Sequence, residues 1–221
     1  DALRSVDFRW VRALESVWVD DDRSIPGPNA ATSAQVTQRF FDETTVAAAH
    51  PNGSIVTGPP GIGKTHLVGD LRRQVWQGGG WFVLLDVLGL TDFWRSAALS
   101  WITSLLQPMP NGRRQFEAVL AGVARRFKVE KQVDEAFGMP DIDARKIVDL
   151  LIKGLMSTDM SNTLQHQDVF RALCLLRSSD VKSISLAHSW LQGYDADEQA
   201  RAALGFQKPP PKPVELVRGM S

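Results

Sequence analysis

Apolar residues recur at three- and four-residue spacing along most of this chain. Leu3, Val6, Trp10, Val11, Leu14, Val17 and Trp18 share one helix face, which predicts a helix over residues 3–19. The acidic run DDDRSIPGPN predicts a loop by its turn chemistry. A second helix over 32–49 would turn Val36, Phe40, Phe41 and Ala48 inward and close at Pro51, Asn52 and Gly53. Two stretches break the helical pattern: SIVTG, residues 54–58, is a short β-branched run, and WFVLLDV, residues 81–87, is nearly continuous apolar sequence of the kind a buried parallel strand shows. Between them Leu67, Leu71 and Val75 predict a helix stopped by the glycines at 78–80, so the order strand, helix, strand predicts one βαβ unit. Beyond residue 90 the pattern is helical again, with helices expected over 91–106, 112–127, 141–156, 163–177, 180–192 and 195–204 and N-caps at Asn111, Asp141 and Asp195. KPPPKP, 208–213, is a stiff spacer that cannot be helix interior, and VELVRGMS reads as the start of a further helix.

The connection between the first predicted strand and its helix carries the chemistry. In TGPPGIGKTH, Gly58, Gly63, Lys64 and Thr65 satisfy G-x-x-x-x-G-K-[ST], the P-loop or Walker A pattern. Glycines let the backbone curl so that successive N–H groups point inward at a helix N-terminus and form an anion nest. Pro59 and Pro60 have no N–H, so the donors expected are those of Gly61, Ile62, Gly63, Lys64 and Thr65, with His66 next in line. Lys64 would neutralise the outer phosphates and the Thr65 hydroxyl would ligate Mg²⁺, which makes ATP with Mg²⁺ the expected cofactor. The fold expected is α/β: a P-loop NTPase βαβ core whose parallel sheet is incomplete in this chain, with a mostly helical C-terminal insertion. The corresponding division is a helical segment 1–50, a nucleotide-binding core 51–110, a helical insertion 111–207, and a proline linker with the start of a helix at 208–221.

Composition narrows the partners. Of 221 residues 43% are hydrophobic, and 25 Lys plus Arg balance 25 Asp plus Glu, so net charge argues for no nucleic-acid partner. The charges are unevenly spread, at −3 over 1–50, +5 over 51–128 and −2 over 129–221, and the basic segment is the one with the glycine loop. Cys174 is the single cysteine, which rules out an intrachain disulfide or cysteine-cluster metal site; with no signal-peptide pattern at the start and no apolar run of membrane-spanning length, a cytoplasmic protein is expected. The start at Asp1 and the end within an amphipathic segment read as the bounds of a fragment.

Three stretches resemble the large P-loop ATPases of the AAA+/STAND group, specifically the bacterial kind associated with BREX and Pgl-type phage-defence systems. They are GPPGIGKTHLVGDLR, FVLLDVLGLTDFWRSAALSWITSL, and HQDVFRALCLLRSSDVKSISLAHSWLQGYDADEQARAALGF. The resemblance implies ATP binding coupled to conformational switching, a role in defence against foreign DNA, and association with the rest of a longer chain, further copies or a defence-complex partner. It places the catalytic strand beyond Ser221, because this sequence has no acidic pair after an apolar strand and no assignable arginine finger. Asp86 could ligate magnesium, but it lies only 22 residues after Lys64 and is followed by Val87 rather than an acid. A small-molecule kinase, with Asp86 and Arg95 holding the acceptor, is the enzyme alternative; an assembly module with a structural nucleotide is the non-enzymatic one.

Other residues have blander readings. His50, His166 and His188 are too scattered to suggest zinc. The pairs Arg72–Arg73, Arg113–Arg114 and Arg125–Arg126 fit solvated helix faces better than a DNA path or an arginine finger. Trp76, Trp81, Trp94 and Trp101 are expected in the core, and Trp18 is a candidate cover for the adenine.

Overall fold

The computed structural model describes residues 14–19, 30–44, 55–87, 91–138, 144–157, 160–178 and 180–220. The chain forms two compact units, one ending at Phe82 and the other starting at Val83.

The first unit contains a short 3-10 helix, Leu14–Trp18, and helices α1, Ala30–Thr44, and α2, Lys64–Gln77. Leu67, Val75 and Trp76 of α2 are buried, as is Val17 of the 3-10 helix. Trp18 lies 6.2 Å from Trp76 and 5.6 Å, edge to face, from Phe82. Arg72 is wholly inside: Nη1 donates to the Trp18 carbonyl at 3.0 Å and the guanidinium lies 4.4 Å above the Trp76 ring. The solvated-face reading therefore fails at Arg72, whose planar cation ties the 3-10 helix to α2. Among the described side chains of α1, Ser33 and Thr37 are buried and Val36 is half-buried, while the expected inward Phe40 and Phe41 lie outside them. The Thr37 hydroxyl donates to the Ser33 carbonyl at 2.9 Å and Gln74 Nε2 donates to Ser33 Oγ at 3.3 Å, so that polar face keeps its hydrogen bonds. The predicted positions 3–13, 20–29 and 45–53 lie outside the described residues.

The expected α/β fold is not what forms. The described residues are mostly helical and contain no sheet; their one β-type pairing is an isolated bridge between Pro108 and Arg114. Residues 55–58 and 81–87, expected as parallel strands of a P-loop core, carry no regular secondary structure and no ladder. Ile55 is 89% exposed and Val87 61%, whereas a parallel strand buries both faces. The Leu84 N–H goes to the Ser104 hydroxyl at 3.1 Å, a side chain taking the place of a neighbouring strand. A parallel pair needs flanking strands and covered faces to be stable, and helical sequence follows both segments.

The second unit contains α3 (Phe93–Leu105), α4 (Gln115–Arg126), α5 (Glu130–Gly138), α6 (Ala144–Met156), α7 (Met160–Leu175), α8 (Val181–Leu191), α9 (Glu198–Leu204) and α10 (Pro213–Met220). Helix α6 packs on α7, α7 on α8, and α10 on both α3 and α7. Their shared core includes Ile102, Phe116, Leu120, Leu151, Cys174, Trp190 and Leu191. Burial pushes the Cys174 thiol up to about 12, so it is an inert apolar group rather than a nucleophile. Trp76 is buried and Trp101 packs against the second unit's core, but Trp81 and Trp94 are exposed, against expectation.

Local capping chemistry sets several helix starts. Asp92 accepts from Arg95 N, Asp197 from Ala200 N, and Asp180 from both Lys182 N and Ser183 N. Two predicted caps are displaced. Asn111 accepts from Arg113 N in a turn three residues ahead of the actual cap position, Arg114. Asp195 instead receives Arg201 Nη1 on both carboxylate oxygens, at 3.0 and 2.8 Å. The expected cap Asp141 lies outside the described residues.

Two consequences are measurable. The Ser183 hydroxyl, its N–H and the Lys182 N–H hold the Asp180 carboxyl below its ordinary range. Its contribution is therefore complete above the ordinary carboxylate pKa and is lost as pH falls through the folded value. The melting-temperature gap between wild type and Asp180→Ala should shrink on acidification from neutral pH, and a gap that widens instead would contradict the cap. Gly154→Ala in α6 would gain about 1 kcal/mol of helix propensity, but the new Cβ would sit 2.8 Å from Phe127 Cγ and 2.9 Å from Phe127 Cβ. Those atoms are the root of the ring and cannot swing away, so overpacking of about 1–3 kcal/mol should win and lower the urea midpoint.

Candidate nucleotide-phosphate site

The glycine loop takes its shape from turn chemistry within nine residues. Ile62 N donates to the Pro59 carbonyl at 3.4 Å, closing a turn with Pro60 at its second position and Gly61, at φ +82°, at its third. This is the type II pattern, in which proline presets the first central residue and glycine accepts the left-handed second. Gly63, at φ +96°, then caps α2, and the first helical bond runs from Leu67 N to the Gly63 carbonyl at 2.9 Å. An L-residue at either glycine would be strained by roughly 1–2 kcal/mol.

Lys64 opens α2 and folds its side chain back across the loop. Nζ donates to the Gly58 carbonyl at 2.7 Å and to the Pro59 carbonyl at 2.9 Å. The N–H groups of Lys64, Thr65 and His66 occupy the first helical turn, where no preceding helical carbonyl can accept them. The Ile62 side chain is exposed and its methyl rests against Gly58, where a Cβ would come within 3.1 Å. Thr65 is half-buried beside Lys64. Gly58, Pro59, Pro60, Gly61, Ile62, Gly63, Lys64, Thr65 and His66, all expected at the site, thus belong to one continuous turn-and-helix start.

One turn further along α2, His66 Nε2 lies 3.7 Å from Asp70 Oδ2, and the other oxygen of Asp70 receives Arg73. The sequence reading overlooked Asp70, although its four-residue spacing from His66 was a legible signal. Trp18, considered as a cover for adenine, packs on Trp76 and Phe82 in this unit. Asp86 is exposed in the second unit. Arg95, also in that unit, donates through Nη2 to the Tyr194 hydroxyl at 3.2 Å.

The donor set fits a polyphosphate: backbone N–H groups at a helix start, one ammonium, and turns held by glycines. For magnesium the fit is narrower. No group of three or more His, Cys, Asp or Glu among the described residues could hold a metal. The ion would arrive on nucleotide oxygens, with the Thr65 hydroxyl as the loop's ligand. No helix among the described residues is long and apolar enough to cross a membrane. No protein-family model, curated protein or solved structure matches this chain.

Proposed function

We propose that residues 58–66 bind the phosphates of ATP·Mg²⁺, and that the chain acts as a nucleotide-responsive part of an AAA+/STAND-like ATPase, a group whose bacterial members include those of phage defence. The observation that carries the reading is the conformation of the loop: left-handed Gly61 and Gly63 deliver α2 with its first N–H groups open, and Lys64 is folded over the same turn. The absence of a sheet among the described residues takes away the support that a P-loop core would add. The proposal therefore rests on local geometry and on the loop sequence.

Binding without turnover is the expected behaviour. Asp70, the acid nearest the loop along α2, is engaged by Arg73 and faces His66, which leaves it poorly placed to polarise water. Calorimetric titration of the chain with ATP·Mg²⁺, beside a phosphate-release assay, tests the reading. Saturable heat without phosphate release supports it; no heat with ATP·Mg²⁺ or ADP·Mg²⁺ ends it.

A further inference from the structure

Helix α4 departs from a local rule at each of its ends, and each time with an exposed cation. At its start the N-cap is Arg114, which gives the first turn no side-chain hydrogen bond and follows a second arginine, Arg113. Serine, aspartate or asparagine would cap that turn, and the positive end of the helix dipole disfavours cations there. At its other end the chain leaves through a Schellman turn, in which Lys128 N donates to the Arg125 carbonyl at 3.1 Å and Val129 N to the Ala124 carbonyl at 3.0 Å. Lys128 holds the left-handed position of that turn, at φ +57°, and is the one non-glycine residue so placed among the described residues. The left-handed residues that follow α2, α8 and α9 are Gly79, Gly193 and Gly205. A Cβ in this conformation crowds the following carbonyl oxygen, so glycine would be less strained at 128. The helix dipole does not account for the lysine, because Arg125 and Arg126 already stand in the last turn.

Both departures put charge on one surface. Arg114 and Arg125 are eleven residues apart, close to three helical turns, so they stand on the same side of α4 and about 16 Å apart along its axis. Between them that side carries Ala118, Ala121 and Gly122, the glycine exposed and the alanines half-buried. Arg113, Arg114, Arg125, Arg126 and Lys128 are all exposed. Among the described residues no acid lies within ion-pair distance of Arg113, Arg114, Arg126 or Lys128. Arg125 has Glu130 at 3.8 Å, in a pair too exposed to hold it firmly. Glu117, the acid within α4, is buried and pairs with Arg177 at 3.1 Å. The balanced charge of the whole chain thus conceals a basic face on this helix.

The chemistry of that face selects its partner. It has no large apolar side chain to anchor a protein or enter a membrane interface. It has no exposed aromatic ring on which an unpaired base could stack, and no hydroxyl or amide between its two ends to read a ribose 2′-OH. What remains is positive charge at both ends of a smooth helix, which suits a partner whose own negative charge repeats along its length.

We propose that this face of α4 docks on the phosphate backbone of duplex DNA, with Arg114 at one end and Arg125, Arg126 and Lys128 at the other, without reading base sequence. The surface belongs to the second unit and needs nothing from the glycine loop.

Fluorescence anisotropy of a labelled duplex of about 20 base pairs, titrated with the whole chain in the absence of nucleotide, tests this. Binding should appear below about 100 µM protein at about 50 mM salt and weaken roughly 100-fold by about 200 mM, as about four phosphate contacts require. Arg114→Ser restores an N-cap and Lys128→Gly removes the left-handed side chain. Each variant should therefore raise the melting temperature while weakening DNA binding severalfold and lowering the salt slope by about one. Together they should weaken binding by at least about tenfold. Arg39→Ser, which removes the same charge from an exposed position of α1, should leave binding unchanged. The proposal is overturned if no binding appears at about 100 µM protein and about 50 mM salt. Equal weakening by Arg39→Ser, or full binding by the double variant, overturns it as well. A fall in melting temperature in either single variant would show that the residue is placed for the fold rather than for a partner, with the same consequence. Preference for phosphatidylserine vesicles or poly-L-glutamate over the duplex would assign the face to a membrane or an acidic protein and likewise sink the DNA reading.

Discussion

Lys64→Ala should lower affinity for ATP·Mg²⁺ by at least about 100-fold, equivalent to about 2.7 kcal/mol. The side chain is already folded across the loop, with Nζ held by the Gly58 and Pro59 carbonyls, so little rotamer freedom remains to be lost when a phosphate approaches. Opposite unit charges about 4 Å apart attract by about 4 kcal/mol at the effective dielectric of a protein surface. A polyphosphate bears several charges, and partial desolvation of the ammonium offsets part of the gross gain. Deleting the ammonium leaves the N–H groups of α2 and their dipole, a contribution of about 0.3–1 kcal/mol, which cannot compensate. Stability in the absence of nucleotide should change little, because Lys64 is only half-buried and its bonds are to exposed loop carbonyls. Comparing the calorimetric Kd of the variant with wild type, alongside urea midpoints without nucleotide, reads both effects. An unchanged Kd would show that any nucleotide heat arises elsewhere on the chain.

Phe116→Ala should destabilise the second unit by about 3–5 kcal/mol. Phe116 has no exposed surface and sits at the second position of α4 in the shared core. Its neighbours hold the helix start in place. Gln115 is equally buried, donating through its backbone N–H to the Gln107 carbonyl and through Nε2 to the Ser104 carbonyl, each at 3.0 Å. Glu117 pairs with Arg177 at 3.1 Å. With α4 anchored on both sides of the ring, the surroundings can collapse only partly, which places the cost at the high end for a truncation. Against a total stability of about 5–15 kcal/mol for a domain, the loss should appear as a lower urea midpoint with an unchanged slope. A cost under about 1 kcal/mol would mean that the ring is not packed as described.

Much of the helical layout was legible because each helix is written locally. The periodicities over 91–106, 112–127, 163–177 and 180–192 correspond to α3, α4, α7 and α8 within a few residues. Helix α5, Glu130–Gly138, was missed: EKQVDEAFG is short and has few apolar positions, and its one described fully buried residue is Val133. One displaced cap had an eligible rival nearby. Asp195 and Asp197 can each cap a helix; Asp195 accepts Arg201 Nη1 on both oxygens, and the cap falls to Asp197. At the glycine loop Pro60, Gly61 and Gly63 specify the turn without help from elsewhere, whereas the burial of Asp168 gave no signal because its donors, the N–H groups of Gln207 and Lys208, lie 39 and 40 residues further on.

Sequence by itself thus determined the helices and the loop, since a helix closes its hydrogen bonds within four residues and a proline–glycine turn selects its own dihedrals. Tertiary structure alone decided that residues 55–58 and 81–87 would form no ladder, that Arg72 would be buried over the Trp76 ring, and that Asp168 would be buried with Oδ2 taking the N–H groups of Gln207 and Lys208. A strand's ladder, a buried cation's acceptor and a buried carboxylate's donors all come from residues distant in the chain, so apolar or charged character at one position cannot say whether those partners arrive.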